Sequence, residues 1–532
     1  MSRPLAIYGS HDSSVCFITD EGKYMIYEFE RILNKKHCHI GREETFKAWM
    51  LWLKEHLASK FNFNSYGSMY YAQLEQDKLK IMKEVFGFDH MEEMSHHACH
   101  AAGALYQSPF NECIVISSDS GGYETNEGIS MFTVFHCDKS KPMNQVVNKV
   151  ADIPIDICGA YTVLAIPISE IKKSDEWTDY LNYAGKLMGL AAYGKIREEW
   201  IKPMKNFFYG AINLETLAAL GNEINLDFSK INTISGPTSY DIAATVQHLF
   251  EEVSMTQMLP YINNYRMPVI LTGGGALNVL FNEKLRKKID YSLFVPVNPN
   301  DSGLSYGMMC LRIPPEIDKS NAYQTYEMNI MYNGVGILDI DDLPSYVEKR
   351  KARLVSMDEI ADLLYKDKII GVIRDGSEVG PRALGNRSIL CNAEIKGIKD
   401  LLNHKIKFRE WFRPFAPVVV RKRVRDYFEI DDDSPFMSFA VTVVEDVADE
   451  IPGVVHEDGT ARVQTVSAKD NPWLNDLLHS FGKLSGYPIL LNTSFNIKGK
   501  PILTTIKDAL QVLDETGLDY VLVNNWIFSK QQ

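Results

Sequence analysis

The sequence lacks the features that mark several broad classes of protein. No window approaches about 18 uninterrupted apolar residues, so we expect no membrane-spanning helix. The opening MSRPLAIYGSHDSS has neither the basic region nor the long apolar segment of a secretory signal. Basic residues are also scarce, with 56 Lys and Arg against 69 Asp and Glu and a net charge of −13. This charge argues against a broad basic surface for nucleic acid or acidic membranes, although a few focused arginines would still hold a small anion.

Paired cysteines are absent as well. The eight cysteines form no CxxC pair and are scattered along the chain, at positions 16, 38, 99, 113, 137, 158, 310 and 391. That distribution argues against a zinc ribbon or a disulfide framework and predicts reduced thiols in a cytoplasmic protein. There is no low-complexity segment and no repeat of solenoid period.

What is present is the composition of a globular protein, with 45% hydrophobic and 23% charged residues. At roughly 150 residues per domain, 532 residues correspond to about three or four domains. Predicted strands and helices alternate, beginning with a three-strand meander over Leu5–Phe29, which indicates an α/β layer architecture. A strand over Cys113–Ser118 is predicted to end at Asp119, and we place the main boundary near Asp341.

Two histidines form the sharpest local motif. On a helix, His96 and His100 of SHHACH would share one face and present two imidazoles to one ion. The alternative is a pair of partly buried histidines bonded to the backbone. Asp119 and Asp301, each beside a glycine-containing turn, add carboxylates at positions typical of ligands, although each alone would also serve as a cap or turn former. Two histidines and two carboxylates suit iron, zinc or manganese.

Two glycine-containing segments are candidates for close approach to a ligand. ILTGGGALN, residues 270–278, has the order strand, glycine loop and helix start, which favours a nucleotide phosphate but also occurs at purely structural turns. KLMGLAAYG, residues 186–194, is a second such segment and is not interpretable alone.

The C-terminal part is rich in arginine motifs despite the acidic total. They are GPRALGNRS, KIKFREWFRPF and DGTAR, and the buried strand of LNTSFN follows them. Arginine suits planar, bidentate binding of phosphate or carboxylate. The alternative is a set of solvated salt bridges on helix faces. The glycines and prolines beside the arginines argue against it, because such turns rarely form plain helix faces.

In combination, HHACHAAGA, EVGPRALGNRSIL with KFREWFRPFAPVV, and PILLNTSFNIKGKPI resemble the O-carbamoyltransferases of nodulation-factor and antibiotic tailoring. GSHDSS, KLMGLAAYG and LTGGGALN fit the same family in the same order, over nearly the whole chain. The resemblance implies an α/β fold with an acetate kinase/actin-like (ASKHA) module of two lobes at 1–340 and a YrdC-like α/β module at 341–532. SGGYE after Asp119 departs from the Asp-Gly-x-Gly pattern expected there.

The family implies an ATP-dependent O-carbamoyltransferase. The C-terminal module would make carbamoyl adenylate from carbamoyl phosphate and ATP, with magnesium, and release phosphate and pyrophosphate. The N-terminal module would transfer the carbamoyl group to a hydroxyl and release AMP. The acceptor stays open between a sugar or aminoglycoside, a polyketide, and a hydroxymethylated pyrimidine nucleotide or DNA base. A bound divalent metal is implied, with iron favoured over zinc or manganese; no membrane partner is expected, and a homodimer is left open.

The resemblance also assigns residues. The metal ligands would be His96, His100, Asp119 and Asp301. His11, in the first turn, would accept the proton of the acceptor hydroxyl, unless it is only a turn residue or a phosphate contact. The nucleotide would contact Lys36, Lys186, Gly189, Gly273, Gly274, Gly275 and Asn278. Carbamoyl phosphate or its adenylate would contact Arg382, Lys407, Arg409, Arg413, Arg462, Asn492, Ser494 and Asn496, among which Lys407-Phe-Arg409 and Ser494-Phe-Asn496 match the KxR and SxN signatures of YrdC-type domains.

Two other functions compete with this interpretation. Both module types also occur in threonylcarbamoyl transfer to tRNA, but the acidic charge and the lack of a basic tail weigh against RNA binding. A non-catalytic sensor of carbamoyl phosphate or nucleotide is the other alternative, and the intact set of candidate ligands weighs against it.

Overall fold

The structure, a computed structural model, describes residues 3–125, 127–171, 177–229, 232–316, 330–431 and 433–530. The first lobe comprises β1 (Arg3–Tyr8), β2 (Ser14–Ile18), β3 (Tyr24–Glu28), α1 (Phe29–Leu33), α2 (Phe46–Phe61), β4 (Tyr66–Ala72), α3 (Gln76–Phe86), β5 (His90–Glu93) and α4 (His96–Gln107). Its five-stranded sheet has the order β3-β2-β1-β4-β5. The predicted meander forms the antiparallel half, and β4 and β5 add in parallel.

The second lobe repeats this topology. It comprises β6 (Glu112–Glu124), β7 (Gly128–Asp138), β8 (Val147–Ile153), α5 (Ile157–Val163), α6 (Tyr183–Ala191), α7 (Glu198–Tyr209), α8 (Leu214–Glu223), α9 (Pro237–Tyr265), β9 (Val269–Thr272), α10 (Val279–Lys288), β10 (Leu293–Phe294) and α11 (Leu304–Arg312). Its sheet order is β10-β9-β6-β7-β8. As in the first lobe, the first strand is central, with two antiparallel strands on one side and two parallel strands on the other. This duplication agrees with the expected module of two lobes.

The predicted end of the strand at Asp119 is wrong. β6 continues through Asp119 to Glu124 and pairs with β7, with a register shift between Ser118 and Gly122. A bulge of this kind can re-aim a side chain without ending the strand. The stretch SGGYE is therefore part of a hairpin, and a Cβ on Gly122 would lie 2.2 Å from the ring of His96. The glycine is required because the hairpin packs directly on the histidine helix.

Helices α4 and α11 pack between the two sheets, in a core that they share with β1 and β6. They cross at two glycines, Gly103 and Gly307, and a Cβ on Gly307 would lie 1.9 Å from the carbonyl oxygen of Cys99. Because no side chain fits between the two helices, the position of α4, which carries the two candidate histidine ligands, is fixed to that of α11.

The C-terminal part forms a larger sheet. It comprises α12 (Leu343–Arg350), β11 (Arg353–Leu354), α13 (Met357–Tyr365), β12 (Ile370–Ile373), β13 (Arg387–Asn392), α14 (Ile398–Lys405), β14 (Ala416–Val420), β15 (Ala440–Thr442), α15 (Glu445–Ala448), β16 (Thr460–Arg462), β17 (Gln464–Val466), α16 (Pro472–Ser485), β18 (Ile489–Ser494), α17 (Ile506–Glu515), β19 (Tyr520–Val523) and β20 (Trp526–Ser529). Eight strands have the order β11-β20-β19-β12-β13-β18-β14-β17, and β15 and β16 form a separate ribbon.

These sheets confirm the predicted α/β fold class, whereas the boundary near Asp341 stays a prediction. Residues 317–329, just before it, lie outside the described chain. Within the described residues, no helix combines the length and the apolar character needed to cross a membrane. All eight cysteines are free.

The GPRALGNRS motif is a buried loop with internal support. One carboxylate oxygen of Glu378 accepts hydrogen bonds from the backbone N–H groups of Leu384, Asn386 and Arg387, at 2.7, 2.8 and 3.0 Å. The Arg387 guanidinium is fully buried and donates to the carbonyl groups of Arg374, Asp375 and Asn386. Arg387 therefore holds the loop in shape, which leaves Arg382 as the arginine of this motif available to a ligand.

We expect replacement of this internal arginine to destabilise the protein. Arg387→Leu leaves three carbonyl groups without their donor in a buried site, at a cost of about 3 kcal/mol. The midpoint of thermal unfolding should fall accordingly. Arg425→Leu is the matched control, because the Arg425 side chain is 68% exposed and should change stability by less than about 0.5 kcal/mol. Equal midpoints for the two variants would contradict the structural role.

Candidate functional site

A cavity of about 1060 Å³ is lined by both lobes and by the C-terminal sheet. Most of the predicted site residues line it: His11, Lys36, Asp119, Gly189, Gly274, Gly275, Asn278, Asp301, Arg382, Lys407, Arg409, Arg413, Arg462, Asn492, Ser494 and Asn496. His96 and His100 are buried directly behind Asp119 and Asp301. The structure thus brings together residues that the sequence separates by several hundred positions.

The four predicted metal ligands converge. One ligand atom from each of His96, His100, Asp119 and Asp301 lies within 4.8 Å of the others. His100 Nε2 is 3.4 Å from Asp119 Oδ2 and 3.4 Å from Asp301 Oδ1, and His96 Nε2 is 3.5 Å from the same Asp301 oxygen. Two imidazole nitrogens and two carboxylate oxygens around one point are a donor set that fits a borderline divalent ion.

The electrostatics of this cluster also fit a cation. Burial lowers the pKa of His96 to about 3, so its imidazole is neutral, as metal binding requires. Burial raises the pKa of Asp119, but the hydrogen bond and the charge of His100 outweigh it and hold that pKa well below its usual range. Burial lowers the pKa of His100, but its hydrogen bonds to Asp119 and Asp301 and their charges outweigh it and raise that pKa to about 9. A proton on His100 therefore balances the ionised carboxylates, and a divalent ion would take the place of that proton.

Two further side chains contact Asp301. Tyr8, which is fully buried at the end of β1, donates a 2.5 Å hydrogen bond to Asp301 Oδ2. His11 Nε2 lies 3.5 Å from the same oxygen, and its Nδ1 lies 3.5 Å from Asp12 Oδ2. Burial lowers the pKa of His11, but the charges of Asp301 and Asp12 and the hydrogen bond to Asp12 outweigh it and raise the pKa to about 9. Sequence reasoning missed Tyr8, whose only signal is a hydroxyl beside the GSHD turn.

A second polar group lies on the cavity wall, beside the GSHDSS turn. Asp12 Oδ1 is 2.7 Å from His37 Nδ1, and a Glu30 carboxylate oxygen accepts the backbone N–H of His37 at 3.0 Å. Neighbouring Lys36 donates to the side-chain oxygen of Asn182, and burial, together with the charge of Arg413, lowers its pKa to about 8. Lys36 is thus a lysine on the cavity wall that loses its proton more readily than an exposed lysine does.

The glycine loop is divided between two roles. Gly274 and Gly275 line the cavity, and the Gly274 N–H donates to Asp119 Oδ2 at 2.9 Å. Gly273 lies behind the wall, with a φ of +83° and no room for a Cβ, which would lie 2.3 Å from the Ser118 carbonyl oxygen. Asn278 accepts the Phe281 N–H at 3.0 Å and caps α10. The loop therefore holds Asp119 in place as well as facing the cavity.

Lys186, predicted to contact nucleotide, also supports the wall rather than lining it. Its Nζ lies 3.5 Å from Glu410 Oε1. Glu410 is shared with Lys498 at 3.1 Å and with Arg413 at 3.7 Å. This buried carboxylate balances part of the positive charge of the C-terminal side of the cavity.

Four arginines converge on that side. Burial and the charge of Arg413 lower the pKa of Arg382 to about 10. Burial and the neighbouring arginines also hold the pKa of Arg462 well below its usual range, and its buried Nε finds no hydrogen-bond partner in the described part of the chain. Arg409 is held by Asn403 Oδ1 at 2.7 Å and lies over the Phe415 ring at 4.4 Å. Guanidinium groups that repel each other in a buried wall form a site for a multiply charged anion.

The KxR and SxN signatures meet directly. Lys407 Nζ donates to the carbonyl oxygens of Ser494 and Asn496 at 2.6 and 2.8 Å, and also to both side-chain oxygens. Because these acceptors bind all the protons of its ammonium group, Lys407 fixes the loop after β18. His456, which sequence reasoning missed, also lines the cavity, and burial lowers its pKa to about 4.

Comparison with known proteins identifies the family of the chain. A family model described as carbamoyltransferase N-terminus matches residues 41–310, and one described as carbamoyltransferase C-terminus matches residues 361–530. An uncharacterized protein of Methanocaldococcus jannaschii is 28% identical, with 99% of each chain covered. Nodulation protein NolO of Bradyrhizobium diazoefficiens is 28% identical over 82% of this chain and 79% of its own. Nodulation protein U of Sinorhizobium fredii is 30% identical over 60% of this chain, which spans 59% of that relative.

Among solved structures, full-length HypF in its phosphate- and nucleotide-bound form matches with a TM-score of 0.36 and 15% identity, over 58% of this chain and 55% of HypF. The N-terminal family model alone covers more than half of the chain, and the C-terminal model covers most of the remainder. The chain therefore belongs to the carbamoyltransferase family, and its prediction as a transferase enzyme is confirmed.

Proposed function

We propose that this carbamoyltransferase is an ATP-dependent O-carbamoyltransferase that works through carbamoyl adenylate. The observation that carries the proposal is that one cavity joins the arginine cluster to the histidine–aspartate cluster. An activation step that needs phosphate recognition and a transfer step at a candidate metal centre would then share one cavity. Holding the reactive intermediate in such a space limits its hydrolysis.

The reaction balances as three substitutions. Water cleaves the P–O bond of carbamoyl phosphate and leaves carbamate and phosphate. A carbamate oxygen attacks the α-phosphorus of ATP, which enters with magnesium, and the bond to pyrophosphate breaks. The acceptor hydroxyl oxygen then attacks the carbamoyl carbon, its proton leaves, and the bond to AMP breaks. The products are the O-carbamoylated acceptor, AMP, pyrophosphate and phosphate.

The arginines serve the activation step in this proposal. Carbamoyl phosphate and ATP are both anions and repel each other, so their approach needs fixed positive charge. Arg382, Arg409, Arg413 and Arg462 supply it from a buried wall, where a charge interacts more strongly than in water. The loop of Ser494 and Asn496, fixed by Lys407, would complete the site.

The histidine–aspartate cluster serves the transfer step. His96, His100, Asp119 and Asp301 would hold a divalent ion, for which iron is our first choice and zinc or manganese the alternatives. Such an ion, when bound, polarises a carbonyl group and balances phosphate charge. We place the acceptor hydroxyl near His11 Nε2, while Asp12 orients the ring through Nδ1. With the charge of Asp301 balanced by a bound ion, the pKa of His11 would fall from about 9, and its neutral Nε2 would take the hydroxyl proton.

The acceptor itself stays open between the classes named above, and a small hydroxylated molecule is our first choice. Threonylcarbamoyl transfer to tRNA is disfavoured by the net charge of −13. The eight free cysteines accord with the cytoplasm, which is the compartment we propose.

The division of labour gives the test of this function. Wild-type protein with carbamoyl phosphate, ATP and a panel of hydroxylated acceptors should release AMP and add one carbamoyl mass to the true acceptor, as followed by mass spectrometry. Arg409→Ala should lose pyrophosphate release but transfer the group from supplied carbamoyl adenylate. His11→Ala should form the adenylate and transfer it about 10²–10⁴-fold more slowly, because a positioned base is missing.

Two results would contradict this division. Transfer at the wild-type rate by His11→Ala would remove its role as base, and His11 would then be a turn residue or a phosphate contact in the first hairpin. Failure of Arg409→Ala to use supplied adenylate would mean that Arg409 serves both steps. If the wild-type protein forms no pyrophosphate from carbamoyl phosphate and ATP, the proposed function is wrong.

The metal site has a test of its own. His100→Ala removes one of the four ligands, so the bound metal per chain should fall far below the wild-type value, as measured by elemental analysis. His97→Gln is the matched control, because His97 is turned away toward Ser117 Oγ at 2.8 Å and the Ser130 carbonyl oxygen at 2.9 Å. Its metal content should stay at the wild-type level. Unchanged metal content in both His96→Ala and His100→Ala would reject the site.

A further inference from the structure

The arginine side of the cavity contains a fixed hydrogen-bond acceptor among donors. The guanidinium groups of Arg382, Arg409, Arg413 and Arg462 can only donate hydrogen bonds. They suit a phosphate group, but not a group that itself carries N–H donors. Asn492, on β18, is fully buried and lines the same cavity.

The orientation of the Asn492 amide is determined by its neighbours. Its Nδ2 donates to the Ala383 carbonyl oxygen at 3.1 Å and to Gln464 Oε1 at 2.7 Å. The Gln464 amide is fixed in turn, because its Nε2 donates to the Leu384 carbonyl oxygen at 2.9 Å. Backbone carbonyl groups only accept hydrogen bonds, so neither amide can be flipped without loss of these bonds.

This network leaves one atom without a role. The buried Asn492 Oδ1 has no hydrogen-bond partner among the described residues. Buried acceptors are nearly always paired, so an unpaired one on a cavity wall points to a ligand that donates. The Ala383 carbonyl oxygen accepts the hydrogen bond from Asn492 Nδ2, and Ala383 directly follows Arg382. Asn492 therefore lies next to the arginine that we assign to phosphate binding.

We propose that Asn492 Oδ1 accepts a hydrogen bond from the carbamoyl –NH₂ and makes the site select carbamoyl phosphate over other acyl phosphates. This inference rests on the proposed function and names the group that the site recognises. Acetyl phosphate is the critical comparison, because it replaces –NH₂ by –CH₃ with nearly the same shape and charge. A site with a buried acceptor rejects the analogue that lacks the donor, since the acceptor is then left unpaired.

The experiment compares the two acyl phosphates in wild-type protein, Asn492→Leu and Asn492→Ser. Pyrophosphate release from ATP gives kcat/KM for each acyl phosphate, and no acceptor is needed. The wild-type protein should prefer carbamoyl phosphate strongly, and Asn492→Leu should reduce this preference by about 100-fold. Inhibition by inorganic phosphate is the internal control, because it reports on the arginines and should keep its wild-type inhibition constant in both variants.

Each outcome decides the proposal. A reduced preference for carbamoyl phosphate over acetyl phosphate, with unchanged inhibition by inorganic phosphate, supports it. If one of the two variants does not fold, this result in the other variant is sufficient. Equal use of acetyl and carbamoyl phosphate by wild-type protein overturns it without any variant. An unchanged preference in the variants, or an equal loss for carbamoyl phosphate and inorganic phosphate, assigns Asn492 a structural role and also overturns it. Absence of pyrophosphate release with wild-type protein and carbamoyl phosphate rejects the proposed function instead, and the inference with it.

Discussion

The site depends on one buried ion pair that seats the C-terminal arginine loop on the first lobe. Glu28 accepts the Gly380 N–H at 3.0 Å and lies 2.6 Å from Arg31, which donates to the carbonyl groups of Glu378 and Gly380. Gly380 has a φ of +87°, and a Cβ there would lie 2.4 Å from the Val297 carbonyl oxygen. No other residue fits this approach. The turn that carries the phosphate-binding candidate is thereby held against the loop that leads to the aspartate of the metal cluster.

The distribution of charge over the cavity wall explains how an acidic protein could bind anions. Negative charge is concentrated where imidazoles and a divalent ion would balance it, around Asp119 and Asp301. Positive charge is concentrated on the opposite wall, where Glu410 balances only part of it. Burial raises the pKa of Glu28 to about 7, although the charge of Arg31 opposes this, so the ion pair that holds the arginine loop on the first lobe is costly. We infer that this unfavourable ion pair is kept because it fixes the position of the arginine loop relative to the first lobe.

The parts of the site that could be predicted are those with a local or matched pattern. Helical spacing placed His96 and His100 on one face, as the structure has them. The KxR and SxN signatures assigned Lys407 and Ser494 to one ligand, and the structure brings these two residues into contact. The rest depends on tertiary contacts that no spacing encodes. Tyr8 contacts Asp301 across 293 residues. β6 continues past its predicted end because a bulged hairpin, and not a turn, fits against the histidine helix.

We propose that activation and transfer occur in one cavity of one chain. The most direct measurement mixes equal amounts of Arg409→Ala, impaired in activation, and His11→Ala, impaired in transfer, with carbamoyl phosphate, ATP and the acceptor. If the adenylate stays in the cavity where it forms, the mixture should make no more carbamoylated product than the sum of the two variants alone. Recovery of a large fraction of the wild-type rate would show that the intermediate passes freely through solution, and would contradict the account.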